Sequence, residues 1–428
     1  MSLSEKDQKT IWHPYTQIKT ASKSIPIIKG KGTYLFDDKD KKYMDAVSSW
    51  WTNIHGHSHP YIAKKISQQL KKLDHVIFAG FTHQPAIELA ERLLKKLPTS
   101  QNKIFYSDNG STAVEVALKM AFQYWHNKGT KKTKVIAFKN AYHGDTFGAM
   151  SVSERNKFTL PFSPFLFDIE FIDAPVKGKE KKSLEQLKSK VQSLKSKVAA
   201  FIFEPLIQGT AGMIIHEPNA LEILIKYCKE NNIITIADEV MTGFGRTGTF
   251  FATDQLSEKP DIYCLSKGIT GGVMALGVTS CTKKIYDAFI SEDKSKTFFH
   301  GHSYTANPIA CTAAIASLDL LEKTTTWKNI KRITQKHSAF KKRVINHKNI
   351  AYIRHLGTIV AIELKTQNST SYFHPIRDKA YDFFIKRGII LRPLGNILYI
   401  LPPYCINNKD LNYIYSAIND FINSISGS

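Results

Sequence analysis

The stretch IITIADEVMTGFGRTGTFFATDQLSEKPDIYCLSKGITGG (233–272) decides how this chain is read. Two apolar, β-branched runs end within it, the first on Asp238 and the second on Lys267. An aspartate can hold a proton on a pyridine nitrogen, and a lysine can condense with an aldehyde. Pyridoxal phosphate (PLP) chemistry needs these two groups most. Strand alternation adds to the pairing: in IITIADEV, Asp238 and Val240 share one face and Glu239 points away. One strand then supplies a carboxylate for the ring nitrogen and a branched apolar side chain for the ring face. The same stretch carries GFGRTG (243–248), which matches the dinucleotide pattern G-x-G-x-x-G. That pattern must open a helix, whereas TGTFFATDQ has no helical apolar stripe. The expectation is a flexible loop beside the cofactor.

Outward from this stretch, short β-branched runs alternate with helical patterns from about Tyr61 to Leu321. KIFYSD, KVIAFKN, FDIEFID, AAFIFEP, IITIADE and DIYCLSK are the strand candidates. Such alternation predicts an α/β fold with a mainly parallel sheet covered by helices on both faces. The first 60 residues are turn-rich, with a hairpin expected around 30–47. Beyond Leu321, a lysine-rich helix leads into a smaller strand–helix alternation. The expected organisation is an N-terminal segment, 1–60, joining a C-terminal α+β domain, 322–428, around a large cofactor domain, 61–321.

Four further segments carry candidate site residues. Asp108-Asn109-Gly110-Ser111-Thr112 lies between a strand and a helix, where backbone amides and hydroxyls stabilise a phosphate. The bland alternative is a capped helix with Glu115 completing a capping box. Tyr142 follows the strand KVIAFKN, at the end where ligands gather in open α/β sheets, either to stack on a pyridine ring or to form a packed aromatic pair with His143. Glu204 closes AAFIFEP, to bond cofactor or gating groups or to cap its loop. In SSWWTN one tryptophan is expected to line a cavity while the other packs, and Arg392 is a candidate bidentate carboxylate anchor.

Composition narrows the function classes. The 428 residues are 43% hydrophobic, with no apolar run of membrane-spanning length. The five cysteines are scattered without a CxxC pair, as suits a cytoplasmic protein. The net charge of +22 comes largely from lysines spread over exposed-looking segments such as 176–198, read as a solvated helix face or insertion. Nucleic-acid binding is therefore not expected as the main function. His55, His57 and His59 alternate before a proline, a loop pattern rather than a metal site.

Taken together, SDNGSTAVEVALKMA, AYHGDTFGAMSVS, FIFEPLIQGTAGM, ADEVMTGFGRTG, LSKGITGG and GHSYTANPIACTAA resemble the class III aminotransferases, of PLP fold type I, over essentially the whole chain. IWHPYTQ (11–17), the Trp50–Trp51 pair and LRPLGNILYILPPY (391–404) single out one branch of that class. The resemblance implies Lys267 as the lysine that bonds the cofactor, Asp238 as its pyridinium partner, Tyr142 and Val240 against the ring, and Gly110 and Ser111 at the phosphate. Ser303 would add a phosphate contact across a homodimer interface. Tyr15, Trp50, Tyr142, Gly301, Arg392 and Tyr399 would meet substrate, with Tyr15 also close to the chemistry and Asp145 and Arg246 lining the site. The partners implied are a small-molecule amine donor and a keto-acid acceptor. No residue decides between S-adenosylmethionine and lysine as donor.

Overall fold

A computed structural model describes residues 1–366 and 372–425. Its centre is a seven-stranded sheet in the order Gln101–Ser107, Gly277–Thr282, Ile262–Leu265, Ile234–Asp238, Val198–Phe203, Lys134–Phe138, Glu170–Ile172. All six strands expected from the sequence are present. Gly277–Thr282 is the seventh, and it runs antiparallel to both of its neighbours. Every residue of Val198–Phe203 and Ile234–Asp238 is buried, as strands sandwiched between helices must be. The register sets Asp238 opposite Cys264, so the loop carrying Lys267 leaves the sheet beside the one that follows Asp238. The 176–198 segment forms the helix Glu180–Ser193, of which only Ser183 and Leu187 are buried.

Among the described residues, two further sheets of three or more strands flank this core. Ile350–Leu356, Ile359–Leu364 and Ile397–Ile400 form an antiparallel meander. The N-terminal strands Ile27–Lys31, Tyr34–Asp37 and Lys42–Asp45 form another, extended by Ile389–Ile390, which pairs in parallel with Lys42–Asp45. The two ends of the chain thus share one sheet.

The GFGRTG segment is neither a helix entrance nor loose. Residues from Met241 to Thr247 are buried, and the Arg246 carbonyl accepts hydrogen bonds from the Thr358 amide and hydroxyl, both at 3.0 Å. Gly357 turns there at φ +54°, where a Cβ would sit 2.2 Å from the Thr247 carbonyl carbon. Only glycine lets the meander approach this closely. The segment clasps the C-terminal meander to the large sheet, which corrects the expectation of flexibility. Among the described residues, no helix is long and apolar enough to cross a membrane.

Candidate active site

A cavity of about 1460 Å³ opens at the strand ends of the large sheet and reaches the C-terminal meander. Asp238 lies in its wall, 5% exposed. Its Oδ2 is 2.7 Å from His143 Nδ1, and its Oδ1 accepts the Val240 amide at 3.1 Å. Glu239 points the other way, as alternation requires. Its carboxylate accepts from the Ala252 and Thr253 amides and from the hydroxyls of Thr242 and Thr253.

Lys267 opens the turn after Ile262–Leu265, with φ +47°. Such a conformation in a non-glycine residue marks a position held by its surroundings. Burial depresses the pKa of its ammonium, against the opposing pull of Asp238 and Glu204. Its Nζ stands 4.8 Å from the centroid of the Trp51 ring. Arg392 lies over the neighbouring indole, its Cζ 4.5 Å from the Trp50 centroid. Both tryptophans therefore line the cavity, contrary to the expectation that one would only pack. The backbone explains it: φ is positive at Ser48, Ser49 and Trp51, so the chain is neither strand nor helix and successive rings need not diverge.

At the start of the helix Gly110–Asn127, the Asn109 side chain caps the Thr112 amide at 2.9 Å, and Thr112 returns the bond. Glu115 takes no part in this box; it accepts from Thr146 and from the Ala149 amide instead. The helix N-terminus at Gly110 and Ser111 thus faces the cavity. Gly144 packs against it so closely, at φ +136°, that a Cβ would lie 2.1 Å from Ser111 Oγ. Here a cradle of backbone amides meets the positive end of a helix, which suits a phosphate. The carboxylate side chain of Asp238 and the amine of Lys267 suit a pyridine nitrogen and an aldehyde. The residues present fit pyridoxal phosphate.

Tyr15 donates to Asp145 Oδ2, which also accepts from Tyr142 at 3.1 Å. Glu204 is buried, and its two oxygens accept the Tyr142 amide at 3.2 Å and the Gly209 amide at 2.9 Å. Burial outweighs those bonds and pushes its carboxyl up to about 7. Of the residues named from sequence, Tyr15, Trp50, Gly110, Ser111, Tyr142, Asp145, Asp238, Val240, Lys267, Arg392 and Tyr399 line this one cavity. Gly301 and Ser303 do not line it within the single chain; both are exposed. Arg246 does not line it either. Its guanidinium is buried against the Leu401 and Pro402 carbonyls at 3.3 and 3.2 Å, over the Tyr404 ring. The expectation that it lines the site is corrected by this burial, which the clasp needs.

Two functional positions escaped the sequence reading: His143 as the partner of Asp238, and Trp51 beneath Lys267. For His143 a signal exists in its place directly after Tyr142 at a strand end. Using it requires knowing that a single strand separates Lys134–Phe138 from Ile234–Asp238. The three histidines of HGHSHP serve separate partners: His55 bonds Ser317 (3.1 Å), His57 bonds Asp45 (2.9 Å), and His59 caps the helix Pro60–Lys72.

The family model described as aminotransferase class-III matches residues 16–422. An adenosylmethionine-8-amino-7-oxononanoate aminotransferase of Synechococcus elongatus is 44% identical, over 97% of this chain and 99% of its own. A crystal structure of the enzyme of that name from Methanocaldococcus jannaschii superposes with a TM-score of 0.94 at 38% identity, covering 99% of both chains. A transaminase from the marine bacterium Virgibacillus gives a TM-score of 0.92 at 29% identity, covering 99% of this chain and 98% of its own. With a fold of type I and an amine, a carboxylate and a phosphate cradle in one cavity, the chain belongs to the class-III aminotransferases, the PLP-dependent transaminases.

Proposed function

We propose that this enzyme aminates 8-amino-7-oxononanoate to 7,8-diaminononanoate in biotin synthesis, with S-adenosylmethionine as amino donor. The observation that carries this reading is the pair of basic side chains over successive indoles, Lys267 over Trp51 and Arg392 over Trp50. It sets a reactive amine and a carboxylate anchor apart along an aromatic wall. A long aliphatic acceptor with a remote carboxylate suits that spacing. Relatives bearing the corresponding name match over nearly the full chain. The same reading divides the chain into a cofactor unit, 61–321, and a smaller unit built from 1–60 and 322–428. It also makes the protein a cytoplasmic homodimer, in which Ser303 and Gly301 reach the neighbouring subunit's cavity.

Bound pyridoxal phosphate would supply an aldehyde for the substrate nitrogen and a ring that takes up the electron pair of the broken C–H bond. The chain's residues do the rest. Asp238, held by His143 and the Val240 amide, keeps a proton on the ring nitrogen. Tyr142 and Val240 confine the ring, and the helix N-terminus at Gly110 and Ser111 takes the phosphate. Lys267 Nζ, its charged form disfavoured by burial, would carry the proton between the nitrogen-bearing carbon of the substrate and the aldehyde carbon of the bound cofactor. Tyr15, Trp50, Arg392 and Tyr399 orient the substrate.

The test is the visible spectrum of PLP-loaded protein titrated separately with 7,8-diaminononanoate, S-adenosylmethionine and lysine. Bleaching by diaminononanoate and by S-adenosylmethionine is expected. Bleaching by lysine instead of S-adenosylmethionine would change the donor. Bleaching by ornithine or 4-aminobutyrate, with none by diaminononanoate, would make the chain a general ω-aminotransferase.

A further inference from the structure

The turn that carries Trp51 is held more firmly than its length requires. Within four residues φ is +50° at Ser48, +57° at Ser49 and +67° at Trp51. Asp45, fully buried, fixes it by accepting the Val47 amide at 3.0 Å and the Ser49 amide at 2.7 Å, and it is itself held by His57. Ser48 Oγ donates to the Leu401 carbonyl at 2.8 Å, tying the turn to the chain that follows Tyr399. Backbone strain of this kind persists only where the surroundings over-determine it. Here the outcome is the placement of one indole. Trp51 is 6% exposed and lies against Gly209, where a Cβ would come within 2.9 Å of its ring.

From that seat the indole makes two contacts with groups of the proposed mechanism. Its Nε1–H donates to the Tyr399 hydroxyl at 3.2 Å, with the two rings edge to face. Its face lies under Lys267 Nζ. An indole nitrogen can only donate, so the Tyr399 oxygen must be the acceptor in that bond. The phenolic proton then has to be donated elsewhere, and among the described residues no protein acceptor takes it. Tyr399 lines the cavity and feels Arg392. Burial keeps its phenol protonated, with its pKa raised to about 12.

We infer that Trp51 is a positioning residue: its N–H turns the Tyr399 hydroxyl proton toward the substrate carboxylate beside Arg392, and its ring face supports the Lys267 amine. This rests on the proposed function for the identity of the carboxylate, but not for the contact with Lys267. Four variants test it: Trp51→Phe, Trp51→Leu, Tyr399→Phe and the double Trp51→Phe/Tyr399→Phe. Trp51→Phe keeps a ring and loses the donor. It is expected to raise KM for 8-amino-7-oxononanoate about tenfold, with kcat changed by no more than about twofold. Tyr399→Phe should do the same, and the double variant no more than either single change, because both remove one shared interaction.

The second readout needs no turnover. Apo protein is mixed with pyridoxal phosphate across pH, and the rise of the visible band is followed. Trp51→Leu withdraws the ring that favours the ammonium, so the midpoint should fall by about half a pH unit, while Trp51→Phe leaves it in place. A purely structural role would lower melting temperature without splitting KM from kcat and without moving that midpoint. A wild-type KM in Trp51→Phe, or effects that multiply in the double variant, overturns the Tyr399 assignment. An unmoved midpoint in Trp51→Leu overturns the Lys267 assignment, and if that variant does not fold, Trp51→Phe still decides the first. Absence of turnover with 8-amino-7-oxononanoate in the unmodified enzyme would sink the proposed function alone, leaving the reconstitution comparison to decide Trp51.

Discussion

The cavity has two walls built by different means. On one side Asp238, Tyr142 and the lysine turn leave the ends of regular strands, and each takes its place from sheet register. On the other, Trp50 and Trp51 sit on a turn with three positive φ values, braced by Asp45, while Arg392 and Tyr399 come from the far end of the chain. On the proposed function, the first wall holds the groups for bond breaking, and the second holds those for recognising a substrate. The contrast teaches that the regular geometry of a sheet can carry chemistry, while irregular backbone can carry choice of substrate.

If that division holds, substitutions on the strand side strike kcat and those on the turn side strike KM. Lys267→Ala should lower turnover by at least about a thousandfold, since it removes both the nucleophile and the proton carrier. Circular dichroism should remain native, and substantial residual turnover would break the comparison at its base. Asp238→Asn should cost kcat about a hundredfold, or about 3 kcal/mol, because the ring nitrogen loses its counter-charge. Steady-state kinetics with saturating substrate would check it. Arg392→Gln should raise KM for the keto-acid acceptor by about tenfold to a hundredfold, with kcat nearly kept. A loss confined to kcat would place Arg392 on the chemical side.

The smallest expected effect concerns Glu204. Its carboxyl is pushed from an ordinary 4.5 up to about 7 in the fold, chiefly by burial. The native state therefore binds a proton that the unfolded chain releases above about pH 4.5. The contribution to stability is full below that value and is lost as pH rises through about 7. Melting temperature measured from pH 5 to 8 should fall less steeply in Glu204→Gln than in the unmodified enzyme.

The same division sets how much could be read from sequence. Six strands and the place of Lys267 at a strand end follow from short apolar, β-branched runs, and the facing of Asp238 and Val240 away from Glu239 follows from strand alternation. Gly277–Thr282 gives no such signal because GVTSCT, with its small and polar residues, forms no apolar run; its place is set by pairing with Gln101–Ser107 and Ile262–Leu265. The GFGRTG loop was judged flexible because its partners, Thr358, Leu401 and Pro402, lie far along the chain. The placing of Arg246 at the cavity rests on the family resemblance alone, and its Leu401 and Pro402 partners are equally remote in sequence. Trp51 was set aside because adjacent side chains diverge in regular backbone, and nothing local announces positive φ at serine and tryptophan.

One earlier feature bears on how the enzyme comes into being. Ile389 pairs with Met44, and Tyr399 bonds Trp51, so one edge of the N-terminal sheet and the tryptophan turn find these partners only in the last stretch of the chain. On a ribosome the N-terminal hairpin strands can pair with one another, but that edge and the tryptophan turn must wait for nearly the whole sequence to emerge. Contacts of such long sequence separation form slowly. The sheet that holds Asp238 and Lys267 is complete well before them. A nascent chain therefore completes the sheet that bears Asp238 and Lys267 before it receives Arg392 and Tyr399, the last-made residues of the opposite wall.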